Sequence, residues 1–258
     1  MTSVFGTTST TSRNPPAAGS PPPDHGPADP WMACVAPLVL FLSIGALEPT
    51  PSGGLLGFLG VPYDAYPLIY CLRVAATALL LARLWPALGP WLGRPSWWPP
   101  LVGLGLVVVW VGLAKLQAAT GWSFAGGERS GFNPFLPETL GGDASRAWAF
   151  FAIRLAGMVA IVPIVEEVFL RGFLMRYVIN EQFWRVPFGT LTAAAAAACG
   201  IYAVASHPGE ALAAIAWFAA VSLIARATRQ PIDCILCHAA TNLALAAYVM
   251  TTGEWWLM

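Results

Sequence analysis

The sequence predicts an all-α fold, a polytopic membrane helix bundle of about eight transmembrane helices. Hydrophobic residues fill 57% of the 258 positions and charged residues only 10%, where an ordinary soluble domain carries about 25% charged residues. Mean hydropathy is +0.64. The apolar residues also fall into successive stretches near the roughly 20 residues with which a helix crosses a bilayer. They lack the alternation, in segments of about 10, that marks a membrane barrel. Net charge is zero, so there is no basic footprint for nucleic acid, and the partner expected first is the lipid bilayer.

Taken in order, residues 1–30 (with TSRNPPAAGSPPPDHGPADP) are rich in Ser, Thr, Pro and Gly and lack an apolar period. They are expected to form a disordered tail, and they lack the basic start and short apolar core of a secretory signal. Spans are expected over 31–47, over 66–84 with Arg73 inside it, and over 101–114, extended by KLQAAT. Together these make an N-terminal helical unit over 31–120. Residues 121–146, containing GERSGFNPFLPETLGGD, have turn residues and no period, and read as an extramembrane loop. From 147 to 258 the chain is nearly all apolar and divides into spans over 147–164, 165–179, 187–206, 211–227 and 232–250. Some of these are short enough to be tilted or partly embedded. Arg83 with Arg94, Arg176 with Arg185, and Arg226 with Arg229 flank loops that cannot share one side in strict alternation, so the positive-inside rule sets no orientation.

A charge at the bilayer centre costs about 2.5–3.5 kcal/mol on insertion scales and therefore marks function by default. The second half of the chain holds a short set of such residues: Arg154, Glu166, Glu167, Arg171, His207 and His238, with Asn242 as a polar companion. In PIVEEVFLRGFLMRYV the adjacent Glu166 and Glu167 point about 100° apart on a helix. Glu167 and Arg171, four apart, share a face in the favourable order for an ion pair. Arg171 can thus neutralise Glu167 and leave Glu166 to project into a cavity, where a carboxylate in a low-dielectric site suits general-base work. A juxtamembrane ion-pair patch is the plainer alternative. His207 ends a span of small residues just before Pro208, and small residues let helices approach closely; a histidine satisfied at the membrane interface is its plainer reading. His238 and Asn242, at i and i+4, share a face and by themselves suit an interhelical hydrogen-bonding pair.

Together the set describes a hydrolase site inside a bundle. Glu166 would activate water with His207 beside it, and His238 and Asn242 would donate to the oxyanion of a tetrahedral intermediate. The same Glu166, His207 and His238 would also suit a divalent metal such as zinc, which takes His and carboxylate ligands around an open position. Cys234, Cys237 and His238 spell C-x-x-C-H, the attachment pattern of c-type haem. Covalent haem needs an exposed or cleft-lined site, and this segment opens an apolar helix, with only His207 as a conceivable second axial ligand. His238 is therefore read within H-x-x-x-N. The five cysteines lie mostly in apolar runs and read as small hydrophobes.

E-E-x-x-x-R (Glu166, Glu167, Arg171), a later His207 and a final H-x-x-x-N (His238, Asn242), in that order over residues 146–250, resemble the CPBP family. These are the CAAX-prenyl-protease-like and bacteriocin-processing intramembrane proteases, also called the ABI family. The resemblance implies a helix bundle around a water-filled chamber, with 147–258 as its catalytic core. It makes Glu166 the base, with His207 beside it, makes His238 and Asn242 the oxyanion or metal-side partners, and makes Glu167 and Arg171 supports. It leaves open whether a metal is used. The implied activity is endopeptidase cleavage of a membrane-associated or lipid-modified protein, against the alternative of a non-enzymatic scaffold or transporter subunit. GFNPF and VPFG resemble the bacterial CAAX-protease-related branch, which implies a multi-pass protein of a bacterial inner (cell) membrane. One departure is that the family's Phe four residues before the second-motif His is here Ala203, with Tyr202 next to it.

Overall fold

Seven helices follow one another in the computed structural model, which describes residues 30–51, 54–55, 59–121 and 131–258. The predicted tail lies outside the described residues, apart from Pro30. The helices are α1 (Pro30–Gly45), α2 (Tyr66–Leu92), α3 (Pro99–Thr120), α4 (Ala144–Tyr177), α5 (Ala193–Ser206), α6 (Ala211–Thr228) and α7 (Pro231–Thr252). Five of them, all but α1 and α5, are long and apolar enough to cross a membrane. No strand occurs among the described residues. Leu68, Leu79, Val108 and Ile201 are each more than 70% exposed, an apolar exterior that suits lipid and would be an aggregation liability in water.

The all-α bundle is as the composition predicts, and the approximate count of eight becomes seven because 147–164 and 165–179 join into α4. Pro163 lies just before the expected break at 164/165, and a proline has no N–H and clashes with the carbonyl four residues back. Here the helix widens to a π turn over Gly157–Ile161 just before it and again over Val168–Leu174, and the chain passes through. Likewise α2 runs on to Leu92 across Pro86 and Pro90, eight residues beyond the stretch expected to end at Leu84. Membrane helices keep such prolines when neighbours re-satisfy the freed backbone. The helix inside 187–206 starts only at Ala193, where the Thr192 side chain accepts from the Ala195 N–H, after a turn with Gly189 at φ 78°.

Packing is centred on α6, whose Trp217, Phe218 and Val221 are at most 2% exposed. Helix α7 crosses α3 closely at Gly103, where a Cβ would run into the Cys237 carbonyl oxygen. Thr241 Oγ1 donates to the Gly103 carbonyl at 2.9 Å, the small-residue contact that membrane helices use to approach. The described part of the predicted loop, residues 131–143, folds back on α4. Phe132 is 3% exposed among Tyr63, Tyr66 and Phe150, and Asp143 caps α4 by accepting from the Ser145 and Arg146 N–H groups.

Candidate active site

Glu166 and Glu167 sit on the short α-turn between the two π segments of α4. Single π turns inside helices often mark functional sites. The pair diverges as adjacent helical residues must. Glu167 is 2% exposed and its Oε2 accepts from Arg171 Nη1 at 2.6 Å, while Arg171 Nη2 donates to the Phe218 carbonyl at 2.9 Å. Glu166 instead lines a chamber of about 700 Å³, together with His207, His238 and Asn242. The six residues assigned to the expected hydrolase site therefore converge: four on the chamber wall, and Glu167 with Arg171 directly behind it.

His238 joins the two shells. Its Nδ1 is 3.1 Å from Glu167 Oε1 and its Nε2 is 4.0 Å from Glu166 Oε2. A carboxylate on Nδ1 fixes the orientation of the ring and leaves Nε2 directed at the chamber. The ring is also held edge-on by Trp217 at 4.5 Å, and Trp217 Nε1 donates to Thr241 Oγ1 at 3.1 Å. The close crossing at Gly103 and the α6 tryptophan thus set where His238 stands. Asn242 Nδ2 donates to the Met158 carbonyl at 2.7 Å, a carbonyl inside the first π segment. One amide hydrogen is committed there, so the amide keeps a second for the chamber.

His207 ends α5, where Pro208 stops the helix. Ser206 Oγ donates to the Tyr202 carbonyl at 2.8 Å, and His207 Nδ1 lies 2.8 Å from the same Oγ. With its hydroxyl proton so used, Ser206 accepts from Nδ1–H, which assigns the proton-free nitrogen of a neutral His207 to Nε2. Trp110 and Phe218 hold the ring at 5.2 and 5.7 Å. The aromatic wall in question at Ala203 is provided by Tyr202, which lines the chamber and packs on Phe169 and Phe218.

As a metal site the set does not fit as arranged. Glu166 and His238 offer two donors 4.0 Å apart, but among the described residues no group of three His, Cys, Asp or Glu side chains is placed to hold an ion. Cys234 and Cys237 are wholly buried, with the Cys234 thiol facing the Val221 carbonyl.

Sequence reasoning passed over Gln117, polar and 1% exposed on α3. Its Nε2 donates to the Gly209 carbonyl and its Oε1 accepts from the Leu212 N–H, pinning the turn after His207. The signal was there, a lone amide closing an apolar helix. Trp110 and Trp217 were also missed, being indistinguishable in sequence from lipid-facing tryptophans.

A buried glutamate beside a histidine on the wall of a chamber within a membrane bundle has the makings of a hydrolase. Residues 148–244 match the family model described as type II CAAX prenyl endopeptidase Rce1-like, which bears out the resemblance carried by the motifs. That matched family is one of proteases, and over this stretch the chain is similar to it. No curated protein and no solved structure matches the chain.

Proposed function

We propose that the protein is an intramembrane endopeptidase that hydrolyses a peptide bond of a membrane-associated or lipid-modified protein through a glutamate-activated water. The observation that carries this is Glu166 on the chamber wall, 4.0 Å from His238 Nε2, with the Glu167–Arg171 pair behind that histidine. Glu166 takes a proton from water in the chamber, with His207 Nε2 as a second acceptor that orients it. The hydroxide adds to the scissile carbonyl. His238, oriented by Glu167 on its Nδ1, and the second hydrogen of Asn242 Nδ2 are the groups placed to stabilise the oxyanion, a type of contact worth about 100- to 1,000-fold each. Collapse breaks the C–N bond, and Glu166 hands its proton to the leaving amine. No step runs through a metal.

The GFNPF and VPFG stretches support assignment to a bacterial cell membrane. The test compares protein termini in cells carrying wild type or Glu166→Gln at matched membrane levels. New termini found only with wild type name the substrate, and identical termini contradict the reading in favour of a scaffold or transporter subunit.

A further inference from the structure

The chamber continues well past Glu166, and much of its far end is built by segments outside residues 148–244. Glu48, Tyr63, Tyr66, Tyr70 and Arg73 line it there. The Arg73 guanidinium carbon lies 4.2 Å from the Phe41 ring centroid and 4.8 Å from that of Tyr70. Gly45 leaves room for it, since a Cβ at that position would stand 2.6 Å from Nη1. Nε of Arg73 is 3.2 Å from Oε1 of Glu48, yet the N–H misses the oxygen, and these two buried atoms have no hydrogen-bond partner. Arg154, on the same wall, is by contrast held by the backbone oxygens of Phe132 and Met258 at 2.7 and 2.6 Å.

A partly exposed ion pair whose facing atoms are not aligned in a hydrogen bond is a weak tie between two segments. It is well suited to exchange, because the arginine fork accepts an incoming carboxylate through two parallel N–H···O bonds. We propose that Arg73 is the receiving group of an anion subsite in the same chamber, where Glu48 stands in for a carboxylate of the substrate. The inference rests on the protease reading for its occupant and deepens it. Burial pushes the Glu48 carboxyl up to about 7, against the opposing pull of Arg73 and Arg154, so its hold on Arg73 is readily released near neutral pH. Tyr66 and Tyr70 are the other titratable groups coupled to it.

The subsite also measures length. Tyr70 donates to the Arg154 carbonyl at 3.3 Å, and a Cβ on Gly157 would meet Tyr70 and Val74, which sets Arg73 level with the turn of α4 that enters its first π segment. That is about ten residues before Glu166, or roughly 15 Å at about 1.5 Å per residue. An extended peptide covers this in about four residues at roughly 3.3–3.6 Å each. The carboxylate therefore belongs about four residues from the bond at Glu166. A chain-terminal carboxylate and an Asp or Glu side chain there share this chemistry.

The test uses the full chain carrying Glu166→Gln in lipid nanodiscs, so that the probe is not cut. The probe is a dansylated, dodecanoylated hexapeptide of Leu and Ala ending as free acid, as amide, or as amide with one Asp, read by energy transfer from the chamber tryptophans. The free acid or the Asp form is expected to bind about tenfold or more tighter than the plain amide, the scale of a charge-assisted hydrogen bond. Which of the two gains identifies the source of the carboxylate. Arg73→Gln should abolish the preference and Arg73→Lys keep part of it. Should Arg73→Gln fail to fold, Glu48→Gln decides, since removing the stand-in should strengthen acid binding. Equal affinities for all three probes, or no gain with Glu48→Gln, overturn the subsite. If wild type nevertheless cleaves and Glu166→Gln does not, the protease reading stands without it. Acid preference in a chain that cleaves nothing overturns the protease reading and leaves the subsite.

Discussion

Removing both members of the Glu167–Arg171 pair should destabilise the bundle by clearly less than the sum of removing each alone. Each side chain is 1% exposed and the contact is 2.6 Å. Arg171→Met deletes that contact and the 2.9 Å bond to the Phe218 carbonyl, and leaves a buried carboxylate with His238 as its remaining partner. Breaking a buried pair from one side costs about 3–5 kcal/mol, and Glu167→Gln, which strands the guanidinium, falls in the same range. The double variant leaves neither charge uncompensated, so it should fall short of the sum of the singles by about 2 kcal/mol or more, within the coupling seen for residues in contact. Unfolding of the purified protein in mixed micelles, titrated with denaturing detergent and followed by tryptophan fluorescence, measures all four corners of the cycle. Additivity within about 0.5 kcal/mol would refute the argument that these charges stabilise one another.

Gly103→Leu should force α3 away from the Cys237 carbonyl and break the Thr241 contact, lowering cleavage while the protein still inserts; undiminished cleavage would mean that this crossing does not set His238. Glu48 contributes a pH dependence of known sign. Its carboxyl is raised from 4.5 to about 7, so the folded state holds more protons than the unfolded one across that window and stability falls as pH rises through it. Glu48→Gln should flatten that slope in unfolding titrations run across the same range, and an unchanged slope would remove Glu48 as its source. Dialysis against EDTA should leave cleavage within about twofold, as for a water activated by Glu166 alone with no metal in the step; a loss restored by zinc would put a metal on Glu166 and His238.

Hydropathy alone was enough to read the bundle, because lipid demands long apolar helices with every backbone group satisfied. It misjudged segment ends where proline intervenes. Pro163 lies beside the expected boundary, but the π segment over Gly157–Ile161 absorbs it, and nothing in a single sequence distinguishes a broken helix from a widened one. The spacing of Glu167 and Arg171 was legible because an i, i+4 pair is a local fact. The tie between His238 and Glu167 was not, since it depends on how closely α7 approaches α3 at Gly103, a contact between distant parts of the chain. Glu48 looks in sequence like a solvated acid after a span, and Arg73 like a charge carried in passing. Only the fold brings them together on the chamber that holds Glu166.

The central claim is that Glu166 is the base. The direct measurement takes the substrate identified from cellular termini, mixes it with purified protein in lipid vesicles in heavy-oxygen water, and follows both cleavage and the mass of the new carboxyl end. Wild type should incorporate one heavy oxygen into that carboxylate, and Glu166→Gln, folded and inserted, should cleave about 100- to 10,000-fold more slowly, the contribution of a positioned general base. Cleavage by Glu166→Gln at the wild-type rate would contradict the account.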